Sequence, residues 1–169
     1  MTPKKAIQYL NSFTDYEKTT GYSYNAAYFN LARMKYLLSK LGNPHLLVPS
    51  IHITGTKGKG SVAYFTAGIL KNLGLKTGLY TSPHIISYTE RIKINGKDIT
   101  VKELVLLINK IKPVVDQLIK KTKYGMPTYF EVYTVMAFLF FYLKKVDIMV
   151  LEVGMGGRLD ATNVVNPLV

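Results

Sequence analysis

Apolar residues recur along this chain with two spacings, and the spacing changes several times. Over residues 4–13, Ala6, Ile7, Leu10 and Phe13 keep the three-to-four step of a helix. The polar run 14–23 interrupts it. A second stripe, Ala27, Leu31, Met34, Leu38 and Leu41, predicts a helix from residue 25 to about 41, closed by the stop chemistry of Gly42, Asn43 and Pro44. The β-branched Ile51-His52-Ile53 predicts a strand, residues 62–73 turn helical again and stop at Gly74, and residues 76–81 predict a second strand. Strand, helix and strand in such close succession form a βαβ unit, which calls for a parallel sheet with a right-handed crossover. Residues 91–94 and 98–99 flank Asn95-Gly96, a hairpin signal. Leu104, Leu107, Ile108, Ile111, Val115 and Leu118 line one face of a helix predicted over 100–121, bent at Pro113. Residues 128–144 are apolar on nearly every side, as in a helix buried against a sheet, and residues 146–152 form an apolar strand ending in an acid. The pattern specifies an α/β fold, a mostly parallel sheet flanked by helices, with ligands expected at the carboxyl ends of the strands.

Composition narrows the partner. The chain has 169 residues, 48% of them hydrophobic, enough for one domain with a real core. Lysine and arginine number 22 against 10 acids, a net charge of +12, which calls for an anionic partner: a nucleic acid, an acidic membrane surface, or a phosphorylated or carboxylated small molecule. Residues 1–89 hold ten bases and two acids and so carry +8 of the +12. The absence of cysteine excludes a disulfide framework, a thiolate metal site and a thiol nucleophile. The most apolar run, residues 132–143, falls short of the roughly 20 residues that cross a bilayer, so a cytoplasmic protein without membrane attachment is expected.

Three loops leave strands at the same edge. Gly55-Thr56-Lys57-Gly58-Lys59-Gly60-Ser61 follows a strand and opens a helix. Its small residues let backbone amides converge on an anion at a helix N-terminus, and a lysine in the loop can reach terminal phosphates. It departs from the strict phosphate-loop pattern, since Gly60 stands where Ser or Thr directly follows Gly-Lys, and the alternative is a merely tight strand-to-helix turn. Glu152 ends a buried strand beside this loop, where a magnesium-coordinating carboxylate or an ordinary exposed strand end is equally at home. Ser82 before Pro83 reads as a helix N-cap or as a hydroxyl near a metal. Thr128 and Glu131 have capping-box spacing. His45 and His52 read as structural, and His84 stays open. Arg158, Asp160 and Asn163, past a glycine-rich turn, either cap turns or read a ring.

Together these segments resemble the folylpolyglutamate synthases and dihydrofolate synthases, relatives of the Mur ligases. The resemblance rests on four stretches in order: Ile51 to Ser61; Thr81-Ser82-Pro83-His84 with Glu90-Arg91-Ile92; Thr128 to Glu131; and Glu152 to Asn163. Lys57 departs from the family, which usually has Asn there. The resemblance implies a P-loop-containing, Mur-ligase-type ATPase domain that is incomplete, residues 1–169 being its N-terminal portion with the C-terminal glutamate-ligase domain absent. It implies an ATP-dependent ligase that adds L-glutamate to dihydropteroate or reduced folates through an acyl phosphate, monomeric when full length and inactive as this fragment alone. By position, Lys57, Gly58, Lys59, Gly60 and Ser61 would cradle ATP, with Lys59 as the catalytic phosphate-reaching lysine, and Ser82 and Glu152 would bind Mg2+. Ala27, Tyr28, Phe29, Thr128, Tyr129, Phe130, Glu131, Leu159, Asp160 and Ala161 would contact the pterin, Asp160 as its hydrogen-bond acceptor. Two alternatives are another Mur-type amide ligase and a basic nucleic-acid-binding module using the lysines with 13 tyrosines and 7 phenylalanines.

Overall fold

The computed structural model describes residues 1–17, 29–121 and 124–169. Its elements run α1 (Pro3–Asn11), α2 (Leu31–Ser39), β1 (Ser50–Ile53), α3 (Lys59–Asn72), β2 (Thr77–Tyr80), β3 (Ile92–Ile94), β4 (Lys97–Asp98), α4 (Val101–Ile119), α5 (Tyr129–Leu143) and β5 (Ile148–Glu152), with 3-10 turns at Pro44–Leu46 and Tyr88–Arg91. The five strands lie in the order β1-β5-β2-β3-β4. The first three are parallel, and β3 and β4 add an antiparallel edge through the predicted Asn95-Gly96 hairpin, both of whose turn residues have positive φ. The sheet is thus mixed, with the expected parallel pairing confined to β1, β5 and β2. The strand order is additional: β5, last in sequence, inserts between β1 and β2.

Alternation along the strands divides the core in two. Met149 and Leu151 of β5 and Tyr80 of β2 join the large cluster formed with α1, α2, α4 and α5. Val150 and Leu79 point the other way, to Ala63 of α3, in a much smaller cluster. Both faces of the central strands are therefore covered, which is why their sequences are continuously apolar. Helix α5 is buried along nearly its whole length. Helix α3 is not: Val62, Phe65, Ile69 and Leu73 form a helical stripe that is 52 to 73% exposed.

Several boundaries shift, each for a local reason. Helix α2 starts at Leu31, where the Asn30 side chain accepts the Ala32 amide, rather than at residue 25. Helix α4 continues through Pro113 over 19 residues, with Thr100 and Glu103 forming its capping box. Ser82 caps no helix; it is joined to Pro83 by a cis peptide in an irregular loop. No helix among the described residues is long and apolar enough to cross a membrane.

The two structural histidines behave as expected. His52 pairs through Nε2 with Thr162 Oγ1 at 2.7 Å. His45 is buried against Phe138, with ring centres 5.8 Å apart, and its Nδ1 has no hydrogen-bond partner among the described residues. Burial, reinforced by the charge of Lys35, pushes its pKa down to about 4. An unfolded histidine takes up a proton near pH 6.5, so stability is full above that pH and is lost as the pH falls towards about 4. Urea unfolding at pH 7.5 and 4.5 is expected to differ by about 2–3 kcal/mol from this residue. His45→Phe should reduce the difference by that amount, and an unchanged difference would exclude His45 as its source.

Candidate active site

The phosphate-loop segment is one turn more helical than its glycines suggest. Gly58, at φ 75°, occupies the N-cap in a conformation that favours glycine, and α3 begins at Lys59. Lys59, Gly60 and Ser61 are therefore the first helical turn, whose amides have no partner within the helix and point with its positive dipole end. At the departure from the strict pattern, a Cβ on Gly60 would stand 3.3 Å from Glu152 Oε1 and 3.5 Å from Oε2, so the glycine lets the carboxylate sit close against the first turn of α3.

Glu152, at the end of β5, is 6% exposed. Its Oε2 accepts the backbone amide of Ser82 at 3.0 Å. Burial raises its pKa, opposed by the Ser82 amide and the nearby Lys59 charge. The structure thus brings together Lys59, Gly60, Ser82 and Glu152 from the ends of three parallel strands. The adjoining open cleft, about 550 Å³, is lined by Thr54, Gly55, Thr56 and Lys59 on one side and by residues 153–156 on the other. Lys57 is exposed and is not among the residues lining it.

A second, narrow and mainly apolar cleft of about 40 Å³ lies beside the first. Of the residues singled out by sequence, Phe29, Thr128, Phe130, Glu131, Leu159, Asp160 and Ala161 line it. Tyr129 does not; it is buried, with its ring centre 5.2 Å from the Arg91 guanidinium. Ala27 and Tyr28 lie outside the described residues. Tyr16 and Glu17 also line this cleft and were not legible in the sequence, since nothing in a short polar segment after α1 marks it for a site. Gly154 and Met155 line both clefts. Gly154 has to be glycine, because a Cβ there would fall 2.6 Å from Phe130 Cζ.

Two carboxylates in this cleft are engaged in building it. Glu131 closes the capping box of α5, accepting the Thr128 amide on Oε2 at 2.7 Å. It also accepts Arg33 Nε at 2.8 Å on Oε2 and Arg33 Nη2 at 2.9 Å on Oε1, an ion pair 4 to 5% exposed. Burial raises its pKa against the pull of Arg33. Asp160 accepts the Thr162 amide at 2.9 Å on Oδ1 and the Met155 amide at 2.8 Å on Oδ2, holding the glycine-rich turn after β5. Burial raises its pKa as well. Oδ1 also accepts the Thr162 hydroxyl at 2.5 Å, so both of its lone pairs are engaged within the turn.

No cluster of three or more His, Cys, Asp or Glu side chains suited to a metal is present among the described residues. Glu152 offers one carboxylate, as a magnesium ion that completes its octahedron with phosphate and water would require. The Gly60 gap beside Glu152 leaves such a site open next to the helix N-terminus.

No protein-family model matches the chain. It is 42% identical over 161 residues to the dihydrofolate synthase/folylpolyglutamate synthase of Bacillus subtilis, covering 92% of this chain and 37% of that protein. It is 36% identical over 169 residues to the folylpolyglutamate synthase of Lacticaseibacillus casei, again 37% of that protein. The crystal structure of folylpolyglutamate synthase from Thermotoga maritima superposes with a TM-score of 0.86 at 43% identity, covering 98% of this chain and 36% of the other. A structure described as a complex of such a synthase with AMPPCP and folate superposes equally well, with a TM-score of 0.86 at 36% identity, covering 99% of this chain and 39% of the other. The chain thus spans little more than a third of the length of these relatives.

Proposed function

Because the chain is homologous to the N-terminal part of the folylpolyglutamate and dihydrofolate synthases, we propose that it carries the nucleotide and pteridine sites of an ATP-dependent ligase. The ligase joins L-glutamate to dihydropteroate or to reduced folates. Residues 1–169 form the N-terminal portion of its ATP-binding domain, and on their own they bind ligands without completing the ligation.

The observation that carries this reading is the wall shared by the two clefts. Gly154 and Met155 are shared by the more polar of the two clefts, which Lys59 lines at the N-terminus of α3, and by a more apolar one walled by Phe29, Phe130 and Leu159. A polyanion on one side and a flat heterocycle on the other match that division of chemistry. Lys59 and the first-turn amides of α3 receive the phosphates, with Lys57 adding positive charge at the turn. Glu152 and Ser82 hold Mg2+, whose charge supports phosphoryl transfer when bound. Asp160 accepts from the pteridine edge, Thr128, Phe130, Leu159 and Ala161 shape its slot, and Glu131 keeps that slot in place through Arg33. The γ-phosphoryl group passes from ATP to a substrate carboxylate, giving an acyl phosphate. The amino group of glutamate then attacks the acyl carbon, forming the amide as phosphate leaves.

Calorimetric titration of the purified chain with ATP, with and without Mg2+, and with pteroate tests the assignment. Both ligands are expected to bind, and Gly60→Ala should lower ATP affinity in Mg2+ by roughly tenfold, the loss of one charge-assisted contact, with little change without Mg2+. A wild-type chain that binds neither ligand would overturn the reading.

A further inference from the structure

Arg91 lines neither cleft and has no part in the chemistry above. It is 1% exposed. Its Nη1 donates to Glu17 Oε1 at 3.0 Å and its Nη2 donates to Glu17 Oε2, a fork-to-fork pair. Its Nε donates to His84 Nδ1 at 2.8 Å. The guanidinium rests against the neighbouring rings of Tyr129 and Tyr133, 5.2 and 5.1 Å from their centres.

Each partner belongs to a different part of the site. Glu17 lines the apolar cleft, and Tyr129 stands between Thr128 and Phe130, which line it too. His84 is two residues beyond Ser82, whose amide rests on Glu152 at the end of β5. The loop from Ser82 to Arg91 is tied down elsewhere as well. Its base is closed by the Thr81 amide donating to the Arg91 carbonyl at 3.0 Å. Its tip is folded around the Glu90 carboxylate, which accepts the amides of Ile85, Ile86 and Ser87 at 2.8, 3.0 and 2.6 Å. These bonds fix the backbone of the loop at both its base and its tip.

A buried ion pair is poor evidence of a stability gain, because desolvation offsets most of the attraction. What a guanidinium supplies is fixed geometry: a planar fork whose donors reach two partners at set angles. With Glu17 on one end and His84 on the other, neither partner shifts without straining a charged hydrogen bond in a low-dielectric interior. We propose that Arg91 is a positioning residue that ties the apolar cleft to the Ser82 loop, so that filling the cleft beside Glu17 sets how Ser82 stands against Glu152. The inference rests on the ligand assignments proposed above.

The test is the affinity for Mg·ATP measured with and without saturating pteroate, in the wild-type chain, His84→Ala and Arg91→Lys. His84→Ala cuts the link on its half-exposed side and leaves the Glu17 pair intact; Arg91→Lys keeps the charge and removes the fork. Wild type is expected to bind Mg·ATP at least about fivefold differently when pteroate is present, the lower end of ordinary coupling between sites. Both variants should bring that ratio to within about twofold of unity, with each ligand alone binding His84→Ala within about threefold of wild type. An Arg91 that served only stability would lower both affinities or the melting temperature and leave the ratio untouched, which overturns the proposal. So does a wild-type chain that binds both ligands without coupling. Should Arg91→Lys fail to fold, His84→Ala decides alone. Failure of the wild type to bind either ligand is distinguishable, since it removes the functional reading first and this inference with it.

Discussion

Replacing Lys59 with alanine is expected to lower the chain's affinity for ATP by roughly 10- to 100-fold, the loss of a charge-assisted hydrogen bond worth about 1.5–3 kcal/mol. Lys59 lines the polar cleft in the first turn of α3, where its charge adds to that of the helix terminus. In the complete ligase the loss in turnover should be larger, about 100- to 1000-fold, because charge on the transferred phosphoryl group is stabilised most in the transition state. Lys57→Ala is the control: its exposed position outside the lining predicts a change of no more than about threefold, as for a screened surface charge. Titration of both variants with ATP separates the two lysines. Wild-type binding by Lys59→Ala would remove that residue from the nucleotide site.

The second large effect concerns stability. Arg33→Met is expected to cost about 3–5 kcal/mol in urea unfolding, because it leaves the Glu131 carboxylate buried without its counter-charge. Arg33 fastens α2 to the first turn of α5 through both Glu131 oxygens. Arg33→Met combined with Glu131→Leu should recover much of the loss, since a buried pair exchanged for apolar side chains of similar volume is often neutral. The recovery has a local limit: the double variant also loses the α5 capping box that Glu131 closes, a contribution of about 1 kcal/mol. A double variant as unstable as the single one would show that the cost lies in packing rather than in the stranded charge.

The elements that sequence located best are those whose environment imposes a period. The strands β1, β2 and β5 and the helices α4 and α5 face apolar surroundings in a regular way, and their residues show it. The glycine-rich loop was legible because backbone convergence on an anion leaves so few residue types available. Its true helix start was not, since Gly60 argues against a helix until the Glu152 carboxylate is seen in the space a side chain would fill. Pairings across long separations were beyond reach for the same kind of reason. Arg33 meets Glu131 across 98 residues and Arg91 meets Glu17 across 74. A lone arginine on a helix or in a loop carries no sign of whether water or a buried carboxylate receives it. The position of β5 between β1 and β2 is likewise a property of the sheet and not of any one segment.

The sheet is built unequally on its two sides. Four helices and most of the buried aromatic residues lie on one face, while α3, whose first turn is the proposed phosphate site, buries little more than its Ala63 against Leu79 and Val150 and turns an apolar stripe outwards. Any ligand that grips the first turn of α3 therefore acts where the folded state has least of its own to hold it. Binding energy adds to folding energy in proportion to ligand excess, about 2.7 kcal/mol at a hundred times the dissociation constant. On the heavily packed face that increment would be a minor addition. At α3 it is comparable to the burial of a single large apolar side chain, about 1.5–3 kcal/mol, so the nucleotide would serve there as a missing piece of the core.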